Sequence, residues 1–261
     1  MSVKIKAGIC TSAGNLRTIN EDNFLFNNIL DVLIDNEYNK GASMKLPAVF
    51  AVCDGMGGLS SGKKASSIVV NKINEQLPYI KNMNDNIDVK KKLENVIQYC
   101  NSTICQEGQN MGTTLAFIYL SQKEIWISNI GDSRIYQYYD NQLIQISVDH
   151  NCSREFLINQ IDNKDVLLKH NRRNELTQYL GIQPSEFVIE PHYMRLDYKV
   201  GTMTFLLCSD GINESLTDEQ ISYILGSRKN MRRKSKELVM EAMKHGSKDN
   251  ITAIVIKTVC K

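Results

Sequence analysis

The sequence predicts an α+β fold, a four-layer sandwich in which two mainly antiparallel sheets pack face to face and helices cover their outer surfaces. Three observations lead there. Short apolar runs recur in pairs around tight turns, as hairpins do. Helical periodicity is confined to two blocks instead of following each strand, which excludes a doubly wound dinucleotide fold. With 261 residues and 42% hydrophobic content, the chain can bury a substantial core as one domain spanning 1–261.

In chain order, strands are expected near 3–10 and 23–27. Residues 28–46, NILDVLIDNEYNKGASMKL, have a polar centre and no steady period, and are expected to form an extended surface loop. PAVFAVC at 47–53 is a core strand. A helix over 62–77 places Ala65, Ile68, Val69, Ile73 and Leu77 on one face, and another over 91–104 does the same with Leu93, Val96, Ile97 and Ile104. TLAFIYL at 114–120 and EIWISNI at 124–130 form a hairpin across Ser121, Gln122 and Lys123. RIYQYYDNQLIQI repeats the pattern, with Asp140 and Asn141 as its turn. Further strands are expected near 187–194, at 202–208 (TMTFLLC) and at 251–257. Thr217 followed three residues later by Gln220 reads as a capping box opening a helix, and 232–244 reads as the last helix.

Composition narrows the function. Lys and Arg total 31 against 29 Asp and Glu, and a formal charge of +2 gives no overall reason to expect nucleic acid. The local run RKNMRRKSK at 228–236 reads either as a solvated helix face or as a docking patch for an acidic or phosphorylated partner. No run of eighteen apolar residues occurs, and Lys4 and Lys6 interrupt the first apolar stretch, so neither secretion nor membrane spanning is expected. Seven cysteines form no CxxC pair; an odd number with two inside apolar strands, Cys53 and Cys208, fits a reducing cytoplasm.

The chemistry concentrates in acids beside turn residues. They stand in RTINEDN at 17–23, CDGMGG at 53–58, IGDSR at 130–134, CSDGINE at 208–214 and GSKDN at 246–250. Singly, each Asp-Gly or Gly-Asp pair is an ordinary turn. Together, acids at the ends of several hydrophobic strands are costly to cluster unless cations neutralise them. An all-oxygen set suits Mg²⁺ or Mn²⁺, whereas zinc would more often recruit Cys or His. The four histidines, His150, His170, His192 and His245, show no metal-ligand spacing. Glycines 55, 57 and 58 would let the backbone approach an ion, so that Asp54 can serve as a ligand with the Gly55 carbonyl beside it.

RTINEDN, VCDGMGG, MGTTLAF, NIGDSRIY, LLCSDGINESLTDEQI and KDNITAIVI occur in an order that resembles the metal-dependent protein serine/threonine phosphatases of the 2C type, specifically their bacterial branch. The resemblance spans nearly the whole chain. It implies a β-sandwich flanked by helices with a metal cleft at one end, and hydrolysis of phosphoserine and phosphothreonine in proteins by direct attack of a metal-bridging water, without a covalent enzyme intermediate. It implies two core ions, Mn²⁺ or Mg²⁺, with a weaker third. Asp54 would be shared between the core ions, with Gly55 reaching the second, while Asp210 and Asp249 complete the first. Glu21 and Asp22 belong to the second ion's surroundings. Asp132 with Asp210 would hold the third ion, and Arg17 would clamp the phosphate, leaving Arg17, Asp54 and Asp210 as the catalytic set. Two ions sharing one water lower its pKa and aim it in line with the departing oxygen. Arg17 would supply paired donors to the phosphate oxygens.

The resemblance further implies phosphoprotein substrates of a bacterial serine/threonine kinase and a cytoplasmic monomer, with no nucleic-acid or membrane partner. Two alternatives share the fold: a phosphoprotein-binding module without turnover, and a small-molecule phosphatase. Two departures from the family pattern stand out. Met56 occupies the place where some members carry a histidine proposed to protonate the leaving group. The segment 149–181, at the position of the family's flap, lacks the usual glycine, and Cys152, Lys164 and Asp165 give it its own polar face. Lys169, Arg172 and Arg173 there are either substrate contacts or solvated surface.

Overall fold

The computed structural model describes residues 2–30, 37–57, 61–82, 89–108, 110–154 and 174–261. Two six-stranded sheets dominate. The first is ordered β11-β10-β13-β14-β1-β4, from β1 (Val3–Ser12), β4 (Tyr38–Met44), β10 (Arg134–Tyr139), β11 (Gln142–Gln145), β13 (Gly201–Cys208) and β14 (Ile251–Cys260). The second is ordered β12-β9-β8-β5-β2-β3, from β2 (Asn23–Phe26), β3 (Ile29–Leu30), β5 (Ala48–Cys53), β8 (Leu115–Leu120), β9 (Glu124–Ile130) and β12 (His192–Asp197). Every pairing between these strands is antiparallel. A two-stranded ribbon, β6 (Gly55–Met56) with β7 (Gly112–Thr113), sits beside them.

The continuous apolar runs follow from burial on both faces. Along β5, Ala48, Phe50 and Val52 face the other sheet, while Val49, Ala51 and Cys53 lie under helices α1 (Ser61–Glu75), α2 (Leu77–Lys81) and α3 (Val89–Glu107). Along β13, Met203, Phe205 and Leu207 enter the same inter-sheet core, and Leu206 and Cys208 meet the other helical layer. That layer comprises α4 (Asp210–Asn213), α5 (Asp218–Gly226) and α6 (Met231–Lys244). The four layers expected from the sequence are therefore present.

Local chemistry sets the boundaries. Asp140 and Asn141 both adopt positive φ, 51° and 59°, the twist that lets a two-residue turn join β10 to β11. Thr217 and Gln220 exchange side-chain and backbone hydrogen bonds as a complete capping box at the start of α5. The helix expected over 62–77 ends at Glu75, and Pro78 opens α2 after it.

Two expectations are corrected. Residues 28–46 are not an extended loop throughout: Ile29–Leu30 and Tyr38–Met44 are strands, while 31–36 lie outside the described residues. The edge strand β4 escapes pattern reading because its small residues serve a close approach, with a Cβ on Gly41 lying 2.9 Å from Cβ of Arg232. The strand placed near 187–194 begins only at His192, and the apolar pair Phe187 and Val188 that suggested it is exposed.

Candidate metal centre

Strand register brings the acid-bearing segments to one end of the sandwich. Ser12 pairs with Ile251, so the loop carrying Arg17, Glu21 and Asp22 leaves β1 beside Asp249 and Asn250. Asn23 pairs with Cys53, which sets Asp22 next to Asp54. Arg134 pairs with Cys208, and the turn holding Asp132 thereby meets Asp210 in the first turn of α4.

Neutral side chains fix the carboxylates. Asp22 is 4% exposed; its Oδ2 accepts hydrogen bonds from the hydroxyls of Ser209 and Thr252, each at 2.7 Å, while its Oδ1 has no partner among the described residues. The Asp54 N–H donates to Thr114 Oγ1 at 3.0 Å, and the Asp54 carbonyl accepts from Thr113 Oγ1 at 2.8 Å. Thr114 and Ser133 share a 2.6 Å hydroxyl bond that ties this support to the Asp132 turn. Asn250 accepts from the Glu21 N–H and donates to the carbonyls of Ala13 and Ile19, so one amide holds the whole loop after β1. Arg17 Nη2 donates to Asp249 Oδ2 at 2.9 Å, with both side chains open to solvent.

The electrostatics show how closely the acids crowd. Burial comes first and neighbouring charge second in raising the Asp54 carboxyl well above the ordinary range; its neighbours are Asp22, Asp210, Asp132 and Asp249. Asp210 is raised well above that range by burial, then by Asp132, Glu214, Asp249 and Asp22. Burial pushes Asp22 up to about 7 despite its two hydroxyl donors, and pushes Asp132 up to about 7 with Asp149 adding to it. Asp22, Asp210, Asp132 and Asp249 therefore all bear on Asp54, and Glu21 bears on Asp22.

These residues fit a divalent cation. Two buried carboxylate oxygens, Asp22 Oδ1 and Asp210 Oδ1, have no partner among the described residues. Gly55 is required by close backbone packing, since a Cβ there would lie 2.2 Å from the Gly62 carbonyl oxygen and 2.7 Å from that of Glu21. Among the described residues no three His, Cys, Asp or Glu side chains close into a cage of their own. A cavity of about 710 Å³ opens beside Asp132 and Asp210, where Glu214 and the ion pair of Arg134 with Asp149 also line it.

Sequence reasoning missed most of the polar support. Asn250 and Thr252 adjoin Asp249 in KDNIT, and Thr113, Thr114 and Ser133 lie within the recognised motifs, but their bonding is visible only in three dimensions. His150 was assigned no role. Its Nδ1 accepts the Gly131 N–H at 3.1 Å, and its own N–H donates to the Gly131 carbonyl, clasping the turn before Asp132. Burial lowers its pKa to about 4, which leaves the imidazole neutral and able to accept. Met56 lies near Gly112 at a second cavity, of about 350 Å³, and carries no transferable proton. Of the flap residues expected to shape substrate contact, Cys152 is half-buried, and Lys164, Asp165, Lys169, Arg172 and Arg173 lie outside the described residues, as does Gly58.

Residues 19–251 match the family described as protein phosphatase 2C. The chain belongs to that family. A serine/threonine phosphatase named stp from Listeria monocytogenes is 27% identical over 253 residues, covering 95% of this chain and 93% of its own. The structure of Stp1 from Staphylococcus aureus, a serine/threonine phosphatase, matches with a TM-score of 0.78 at 25% identity, over 98% of this phosphatase 2C chain and 94% of that one. A PstP catalytic domain solved with two manganese ions has the same fold, with a TM-score of 0.76 at 24% identity over 99% of this chain and 100% of that one.

Proposed function

We propose that residues 1–261 form one metal-dependent protein serine/threonine phosphatase domain, with the acidic end of the sandwich as its catalytic centre. The observation that carries this reading is the convergence of five buried or half-buried Asp side chains, two of them with an unpartnered oxygen, in a member of the phosphatase 2C family. Asp54, Asp210, Asp249 and the Gly55 carbonyl would hold the core pair of Mn²⁺ or Mg²⁺, with Glu21 and Asp22 around the second ion. Asp132 and Asp210 would hold a weaker third. When bound, the cations supply an activated water and positive charge for in-line displacement at phosphorus.

The chain's own contributions are positional and electrostatic. Asp22, fixed through one oxygen by Ser209 and Thr252, keeps its other oxygen without a partner among the described residues and would offer it to the second ion's surroundings. Arg17 stands exposed at the rim with one amino group on Asp249, and its remaining N–H groups can meet the non-bridging phosphate oxygens. Met56 has no proton to give, so protonation of the departing serine or threonine oxygen would fall to a metal-bound water, to solvent or to another group. The substrates are phosphoproteins made by a bacterial serine/threonine kinase, the setting is cytoplasmic, and the enzyme works as a monomer. No helix among the described residues is long and apolar enough to cross a membrane.

Phosphate release from phosphoserine and phosphothreonine peptides is the direct test. Turnover is expected with Mn²⁺ or Mg²⁺, to be abolished by chelation, and to be lower on phosphotyrosine. Activity that survives thorough metal removal would overturn the reading, and faster turnover of free phosphorylated metabolites at matched concentration would reassign the substrate class.

A further inference from the structure

A second charged feature lies away from the acidic centre, on the outer face of the first sheet. Lys6 of β1 and Lys257 of β14 are directly opposed in the ladder, with Ser43 of β4 on the other side of Lys6. Like charges in that relation repel. The start of α6 is clamped onto this face, because a Cβ on Gly8 would lie 2.3 Å from the Met231 carbonyl carbon. The clamp fixes Arg228, Lys229 and Arg232 over the same place, and together these side chains line a cavity of about 550 Å³ in which, among the described residues, no Asp or Glu takes part.

Internal pairing accounts for only part of that charge. Lys229 bonds Glu237 at 2.7 Å, and Arg232 Nε donates to Asn39 Oδ1. Lys6, Lys257 and Arg228 have no ion pair among the described residues. Nearby Lys234 is buried, and its pKa is lowered first by burial and then by Lys257. The fold thus maintains a concave cluster of like charges at a cost that an anion would offset.

We propose that this basic cavity is a docking site for a short acidic segment of the phosphoprotein substrate, a role that rests on the phosphatase reading above. An extended peptide suits the place, because β4 is the last strand of its sheet and borders the cavity. A long polyanion suits it less: the chain as a whole carries only +2, so its net charge adds little long-range attraction for a nucleic acid.

The test uses the double variant Lys6→Glu/Arg228→Glu, both residues being exposed and remote from the acidic centre. Binding of a fluorescein-labelled peptide of six glutamates is followed by anisotropy at low ionic strength, with a six-glutamine peptide as control. The wild type is expected to prefer the glutamate peptide, and the variant to bind it about 10-fold more weakly or worse. With Mn²⁺ present, the variant's KM for phosphorylated casein is expected to rise about 3-fold or more while its hydrolysis of p-nitrophenyl phosphate is unchanged. Equal peptide binding by the two proteins, no preference for glutamate over glutamine, or an unchanged casein KM would overturn the proposal. Tighter binding of a six-nucleotide DNA than of the glutamate peptide, lost in the variant, would overturn the peptide as occupant. Charge-dependent peptide binding by a wild type that releases no phosphate would instead count against the phosphatase reading and leave the basic docking surface standing.

Discussion

Asp210→Asn is expected to lower turnover on phosphothreonine peptides by about 10-fold or more, even with metal in excess. The substitution keeps the size of the side chain but removes a negative charge from the position where burial, Asp132, Glu214, Asp249 and Asp22 all bear on one carboxyl. Its Oδ1 has no partner among the described residues, so the loss falls on whatever cation would occupy that place. Asp132→Asn is expected to behave differently: tight core binding and the fold persist, while turnover on protein substrates falls. Calorimetric metal titrations beside kinetics separate the two. Unchanged core binding in Asp210→Asn would contradict its assignment, and loss of both tight ions in Asp132→Asn would place that carboxyl in the core.

The metal-free protein is expected to lose stability as pH rises, which is the reverse of ordinary acid denaturation. Asp22 and Asp132 are raised from 3.8 to about 7, and Asp54 and Asp210 are raised well above their ordinary value. A carboxyl raised on folding contributes stability that is complete below its unfolded pKa and is lost as pH climbs through its folded one. Between about pH 5 and about pH 8 the melting temperature of the metal-free chain should therefore fall by about 5–10 °C at constant ionic strength. Asp132→Asn, which removes one raised carboxyl, should flatten the decline. Mn²⁺ at about 100 times its dissociation constant should restore about 5–10 °C near pH 8, with proton release. A melting temperature that stays level or rises without metal would contradict the crowding described here.

The acids of the candidate centre could be picked out in the chain because they sit at turn dipeptides that end apolar strands. Asp54 before Gly55 and Asp210 before Gly211 combine two local signals, strand termination and backbone freedom, with a charge neither needs. The hairpin at Asp140 and Asn141 and the capping box at Thr217 were legible for the same reason, since each rests on contacts within a few residues. Strand β4 was not, because Lys40-Gly41-Ala42-Ser43 is selected by packing against Arg232, nearly two hundred positions away. Nor were the supports of the site: Asn250 secures Glu21 and Ile19 across the length of the sequence, and Thr114 reaches Ser133 through a hydroxyl that looks ordinary in either motif. Acids announce a centre by their charge, whereas the neutral groups that aim them carry no such signal.

The central claim is that the clustered carboxylates form a divalent cation centre organised around Asp54. Titrating Mn²⁺ into the metal-free wild type and Asp54→Asn by isothermal calorimetry, at about neutral pH where binding must displace protons, tests it most directly. Two tight ions per wild-type chain with proton release, and loss of tight binding in an Asp54→Asn protein that keeps its circular dichroism spectrum, are the predicted results. The same number of ions bound with the same affinity by both proteins would contradict the account.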